Sequence, residues 1–366
     1  PSNRQYNMKF FTVLVNTNLA LITLLGKQTL TVADERHFVR RATESSASSP
    51  NFITHFPEFL EVIGDNPKFS VLAETDAHEG PVYVESENSV YFVTGPRPSN
   101  VPIFNGITSS VNKLNLDDLT VSTVIENCNN CNGMSSGGDN RLLIGEQGSM
   151  SEDARISSYN IRNGRTTTVV DNFRGLPFNS LNDVVTKSDG TIWFTDPSYG
   201  FNQGFRAAPL LGEYVYRYDP ETEEITVVAD SFNMPNGLAF SPDESLLYIN
   251  DSGAIQEGAS DFDIRRPHHI KVFDVINNRS LANERLFALI TPGIPDGIKV
   301  DTEGRVYSSS QGNLQVFDTD GRLIGEIVPP TPSVTNFVFG GPDNNILYIV
   351  DDTAVYSAEI AAVGAV

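Results

Sequence analysis

One phrase recurs six times along the chain and limits its fold more than any other feature. Each copy has a turn-like dipeptide, a short apolar run, a polar turn, and a second apolar run rich in Tyr, Phe, Ile and Val. The copies open at Glu79-Gly80, Asn132-Gly133, Asn182-Asp183, Asn236-Gly237, Asp296-Gly297 and Asn336-Phe337, and differencing those positions gives spacings of 53, 50, 54, 60 and 40 residues. Repeats of about 40–50 residues built from short strands are the mark of a β-propeller. The clearest copy reads Gly237 to Ser241, a turn at Pro242 to Ser245, then Leu246 to Asn250, which is a hairpin. In the preceding unit, Glu213 to Tyr218 and Glu224 to Ala229 read as third and fourth strands, so each unit is one four-stranded blade.

The two ends of the repeat array fit each other. The last unit offers strands near Asn336, at Ile346 to Val350 and at Ala354 to Glu359, and its fourth strand is missing. At the other end, Phe69 to Glu74 is a fourth strand with no blade before it. It is expected to complete the sixth blade, closing the ring and protecting strand edges. Length alone, 366 residues, suggests about two domains. The repeat instead predicts a single all-β, six-bladed propeller over residues 51–366, closed by an N-terminal strand.

Residues 1–50 are set apart. A positive start at Lys9, an apolar middle from Phe10 to Gly26 and a small-residue exit at Thr31-Val32-Ala33 have the layout of a secretory signal. Arg40-Arg41 and the polar tract Ala42 to Pro50 then read as a processing site and linker. A secreted protein is expected, with a cytoplasmic one as the alternative. No other stretch approaches the ~20 unbroken apolar residues of a membrane-spanning helix, so no span is expected in the mature chain. Cys128 and Cys131 cannot fill a four-ligand zinc site. A local disulfide is the favoured reading, with two free thiols as the alternative. Asn250-Asp251-Ser252 and Asn278-Arg279-Ser280 have the form of glycosylation acceptors, of which only the second lies in an obvious turn.

Charge excludes one class of partner. With 46 acidic and 25 basic residues the net charge is -21, and no basic run exceeds Arg40-Arg41 or Arg265-Arg266. Nucleic-acid binding needs clustered Lys and Arg to release counterions, so it is not expected.

In a radial repeat the residue opening each innermost strand points toward the central channel on one face. Those residues are Glu79, Asn132, Asn182, Asn236, Asp296 and Asn336, all bearing a carboxylate or amide oxygen. Asn-Gly and Asp-Gly are also ordinary turn dipeptides, but turn chemistry does not explain a Glu among them. Two carboxylates, Glu79 and Asp296, with two amides, Asn182 and Asn236, form the all-oxygen set that calcium prefers. Calcium takes 6–8 oxygens, so water or substrate would fill the remaining positions. Another divalent ion, zinc or manganese, is not excluded. The second strand of each blade returns to the same face at Thr94, Glu146, Asp196, Asp251, Ser310 and Asp351. Asp351 reads as a solvated surface residue. Asp196 and Asp251 are better placed to orient ligands, bind metal or water, or handle protons.

At these positions the chain resembles the regucalcin/gluconolactonase family of calcium-dependent lactone hydrolases, and within it the fungal aldonolactone hydrolases. The resemblance runs over about residues 69 to 359 and is carried by His78-Glu-Gly-Pro-Val-Tyr83, Phe178-Asn-Ser-Leu-Asn-Asp183, Met234-Pro-Asn-Gly-Leu-Ala-Phe240 and Ile294-Pro-Asp-Gly-Ile298. It implies a six-bladed propeller, calcium held by Glu79, Asn182, Asn236 and Asp296, and Asp296 as proton acceptor and donor. His78, Asn132, Asp196 and Asp251 would contact substrate or support those residues. Regucalcin-like members carry a basic residue where this chain has Ser180, which bears on sugar-acid preference. The mechanism the resemblance implies uses water and requires no Ser nucleophile. Two alternatives stay open: a phosphotriesterase or arylesterase on the same metal, and a propeller that binds calcium or a small molecule without turnover.

Overall fold

The computed structural model describes residues 50–98, 107–138, 140–256, 261–331 and 333–365. The signal and linker reading of residues 1–50 therefore lies outside the described residues, Pro50 excepted. In chain order the first elements are β1 (Phe52–Thr54), α1 (Phe59–Ile63) and β2 (Lys68–Glu74). Blade one comprises β3 (Glu79–Val84), β4 (Ser89–Val93), the short β5 (Arg97–Pro98), β6 (Ile107–Asn115) and β7 (Val121–Cys128). Blade two comprises β8 (Cys131–Ser136), β9 (Arg141–Glu146), β10 (Arg155–Asn160) and β11 (Thr166–Val170). A two-stranded hairpin, β12 (Asn172–Phe173) and β13 (Leu176–Pro177), precedes blade three, formed by β14 (Val184–Thr186), β15 (Ile192–Asp196), β16 (Tyr214–Asp219) and β17 (Glu224–Ala229). The helix α2 (Tyr199–Asn202) lies in the β15–β16 connection. Blade four runs β18 (Pro235–Phe240), β19 (Leu246–Asp251), β20 (His269–Ile276) and β21 (Ser280–Leu289). Blade five runs β22 (Ile298–Val300), β23 (Val306–Ser309), β24 (Leu314–Phe317) and β25 (Leu323–Ile327), and blade six β26 (Asn336–Gly340), β27 (Ile346–Val350) and β28 (Ala354–Glu359).

Blade six takes its outer strand from the other end of the chain. β2 pairs antiparallel with β28, from Lys68 opposite Glu359 to Glu74 opposite Ala354. Blade five carries a strand that the repeat does not foretell: β1 pairs with β25, with Phe52 opposite Ile327 and Thr54 opposite Gly325. Phe52, Phe59 and Val62 from this N-terminal stretch join a core that also holds Tyr307, Phe337 and Tyr356 of blades five and six.

Burial along the strands follows from the radial stacking. A second strand is covered by a neighbouring blade on each face, so β4 and β15 are buried at every residue. Their sequences, Ser-Val-Tyr-Phe-Val and Ile-Trp-Phe-Thr-Asp, are accordingly near-continuous apolar runs and do not alternate. Outer strands face solvent, and β11, Thr-Thr-Thr-Val-Val, has no fully buried residue. β25 is an outer-strand position with three buried residues, because β1 and α1 cover it.

Candidate metal and substrate site

The dipeptides that open the innermost strands are set by close approach between blades. Gly133, Gly237 and Gly297 keep φ outside the left-handed region, so they do not act as turn glycines. A Cβ on Gly237 would lie 2.3 Å from the Asp296 carbonyl oxygen, and one on Gly297 would lie 2.3 Å from the Asn336 side-chain oxygen. Without side chains, each blade can hydrogen-bond directly to the next. The Gly133 N–H donates to the Asn182 carbonyl at 2.8 Å, and the Gly237 N–H to the Asp296 carbonyl at 3.1 Å. The Gly297 N–H donates to the Thr335 carbonyl at 2.9 Å, and the Thr335 hydroxyl donates to the His78 carbonyl across the ring closure. These struts fix the oxygen-bearing residue that precedes each glycine.

Glu79, Asn132, Asn182, Asn236 and Asp296 line one cavity of about 280 Å³, together with His78. The sixth ring residue, Asn336, stands behind them: its Nδ2 donates to Glu79 Oε2 at 2.8 Å, and that oxygen also accepts the Gly80 N–H at 3.0 Å. The Asp296 carboxyl lies close to Glu79 and to the Asn236 amide in this cavity. Burial, then the charge of Glu79, raises the Asp296 pKa well above the ordinary carboxylate range. Two carboxyl groups held this close repel as anions and must share a proton or a cation. The Asn132 side-chain oxygen is buried without a hydrogen-bond partner, leaving an acceptor at the cavity wall.

The second ring is less uniform. Thr94 lines the cavity. Asp196 and Asp251 do not; each instead holds the backbone segment leading into a ring asparagine. Asp196 accepts the N–H groups of Asn179 and Ser180 at 3.0 and 2.8 Å, ahead of Asn182. Asp251 accepts those of Asn233 and Met234, both at 3.0 Å, ahead of Asn236. Burial pushes the Asp196 pKa up to about 7 against those two hydrogen bonds. Glu146 is buried and paired with Arg155 at 2.8 Å. Asp351 corrects the sequence reading, because it is fully buried and not solvated: it accepts the Thr353 and Ala354 N–H groups at 3.2 and 2.9 Å and so closes the β27–β28 turn. Asn250 of the first glycosylation triplet is likewise buried, donating to the Asp296 carbonyl at 2.8 Å and out of reach of any glycosylating enzyme.

Several contributors do not sit at repeat positions. Tyr199 of α2 lines the cavity, with its hydroxyl near the Asn236 amide and Ser252. Burial, then the Asp296 charge, raises its pKa and keeps the hydroxyl a donor. The connection that carries it is pinned by Arg206, which donates to the carbonyls of Asn179, Phe178, Ser149 and Glu152 at 2.9–3.0 Å. Ser180 lies beneath this connection and accepts the Gly200 N–H at 2.9 Å. Its hydroxyl donates to Gln147 at 3.1 Å, so the departure at Ser180 supports the connection and leaves no cation there. His78 Nδ1 is 2.5 Å from Asp352 Oδ1, whose other oxygen accepts the Ser333 hydroxyl. Burial opposes the charged imidazole, yet Asp352, Glu79 and Asp76 hold its pKa above the usual histidine value. Asp183, the residue replacing glycine in the third copy, is buried; burial, with the charge of Glu79 beside it, raises its pKa to about 6 against the pull of Lys299. Cys128 and Cys131 are disulfide-bonded and close the turn that presents Asn130 and Asn132 to the cavity.

Among the described residues no three His, Cys, Asp or Glu side chains gather as a ligand group. The converging set is two carboxylates with amide oxygens, and its chemistry fits a hard cation bound by oxygen better than zinc, which favours nitrogen and sulfur. Among the described residues no helix is long and apolar enough to cross a membrane.

Comparison with known proteins agrees with this geometry. The family model described as the SMP-30/Gluconolactonase/LRE-like region matches residues 77–352. The lactonohydrolase oryL of Aspergillus oryzae is 29% identical over 312 residues, covering 79% of this chain and 69% of its own. A gluconolactonase of Zymomonas mobilis is 26% identical over 309 residues, covering 79% of this chain and 80% of its own. A gluconolactonase structure from Xanthomonas campestris superposes with a TM-score of 0.70 at 27% identity, covering 86% of this chain and 96% of its own. The chain belongs to the SMP-30/gluconolactonase/LRE-like family.

Proposed function

We propose that this lactone-hydrolysing enzyme opens the ring of a sugar lactone or a similar small lactone, with calcium held by Glu79, Asn182, Asn236 and Asp296. The observation that carries the reading is the convergence of the Glu79 and Asp296 carboxyls with the amides of Asn182 and Asn236 on one cavity. Bound among them, calcium supplies the positive charge that polarises a lactone carbonyl and favours the oxyanion formed when it is attacked. Asn336 and Gly80 fix one Glu79 oxygen, and Asn236 and Tyr199 fix the surroundings of Asp296. Asp296 takes a proton from the attacking water and returns one to the ring oxygen as the C–O bond breaks, so one water is consumed and a hydroxy acid leaves. The Asn132 oxygen accepts from a substrate hydroxyl, and His78, oriented by Asp352, lies at the rim as a further hydrogen-bonding group.

The test is a side-by-side rate comparison, at saturating calcium, on a five-membered sugar lactone and a phosphotriester. Turnover of the lactone with a marginal rate on the phosphotriester is expected; the reverse order would move the reading to a phosphotriesterase on the same residues.

A further inference from the structure

The cavity that holds the carboxylates also has an apolar wall. Phe205, Ile255 and Ile294 line it, each almost fully withdrawn from solvent. Ile255 and Ile294 form with Ala254 a packed cluster of their own, separate from the cores of the blades. Phe205 sits in the β15–β16 connection and Ile255 in the β19–β20 connection, both outside the repeated strands, while Ile294 stands two residues before the ring residue Asp296. The wall is rigid, because Arg206 beside Phe205 is tied to four carbonyls and the Ala254 N–H donates to the Pro267 carbonyl at 2.6 Å. The same two connections expose Leu210, Phe262 and Ile264 on that face of the ring.

Such a wall treats two kinds of lactone differently. A polyhydroxylated ring set against Phe205, Ile255 and Ile294 loses water from the hydroxyls that face those side chains, and finds partners only where Gln203, Gln256 and Gln311 also line the cavity. A hydrocarbon substituent in the same place gains about fourfold in kcat/KM for each methylene it buries.

We propose that the site takes lactones bearing an apolar substituent, an alkyl or aryl arm, with the ring carbonyl at the Glu79–Asp296 floor and the arm against Phe205, Ile255 and Ile294. This rests on lactone hydrolysis in this cavity and narrows its substrate class.

The test uses the full chain with calcium and follows acid release on δ-valerolactone, on δ-nonalactone, which carries a butyl arm on the same ring, and on glucono-1,5-lactone. The expected result is a kcat/KM at least about tenfold higher for δ-nonalactone than for δ-valerolactone, with the four buried carbons of the butyl arm at about fourfold each as the ceiling. Phe205→Ala and Ile255→Thr are each expected to lower that ratio about fivefold or more; circular dichroism shows which variant is folded, and a folded one decides. Equal kcat/KM for the two lactones, a preference for glucono-1,5-lactone over δ-nonalactone, or a ratio unchanged in both variants overturns the apolar-arm proposal while lactone hydrolysis stands. No turnover of any of the three lactones overturns the hydrolytic reading and this inference with it.

Discussion

The carboxyl groups of Glu79 and Asp296, from blades one and five, converge on the central cavity, where burial and then the charge of Glu79 hold the Asp296 pKa well above the ordinary carboxylate range. Each is held by a residue from another part of the ring, Glu79 by Asn336 of blade six and Asp296 by Asn236 of blade four. Replacing Asp296 by Asn keeps the shape and removes one anion and the proton acceptor. Asp296→Asn is expected to lower kcat by about 10²- to 10⁴-fold and to weaken calcium binding, measured by acid release and calorimetry on one preparation.

Tyr199 tests a residue that the repeat does not disclose. Its hydroxyl lies near Asn236 and Ser252, and Tyr199→Phe removes it without a change of ring. Loss of a hydroxyl that lines the site is expected to cost the transition state roughly 1–3 kcal/mol, a fall in kcat/KM of about 5- to 150-fold. The variant should melt close to the parent; full activity would remove Tyr199 from the site.

The repeat made the blades, their order and the ring of oxygen-bearing residues legible, because positions related by a pseudo-symmetry axis must share an environment. It could not place residues without a counterpart in other copies. Tyr199, Gln203 and Phe205 come from the connection of blade three that carries α2, and β1 augments only blade five. Asp352, the partner of His78, sits across the ring closure. Asp351 was misread because an acid after an apolar strand looks solvated in sequence, whereas here it closes a turn with its own backbone. The glycine after most ring residues looked like turn chemistry, and its cause, contact with the adjacent blade, is invisible within one repeat.

Gly237→Ala isolates that contact. The new Cβ would stand 2.3 Å from the Asp296 carbonyl, against backbone that cannot move without parting two blades. Overpacking of this kind costs about 1–3 kcal/mol or more. Urea unfolding should show that loss, together with weakened calcium binding because Asn236 and Asp296 are displaced together.

Asp196 gives a pH signature. Burial raises its native pKa to about 7, above the unfolded value near 4. Across that window the native state holds a proton that the unfolded chain has released, so this group lowers stability as pH rises from about 4 to 7. In Asp196→Asn that contribution vanishes, and urea midpoints measured across the window should fall less steeply with pH than in the parent. An identical slope would contradict the assignment.

The most direct test of the account is calcium removal and return on one lactone substrate. Protein stripped with EGTA and exchanged into metal-free buffer is predicted to lose nearly all lactone hydrolysis and to regain it on adding calcium, with Glu79→Gln failing to recover at the same calcium concentration. Hydrolysis that continues at full rate in the stripped protein would contradict the central claim that Glu79, Asn182, Asn236 and Asp296 work through a bound cation.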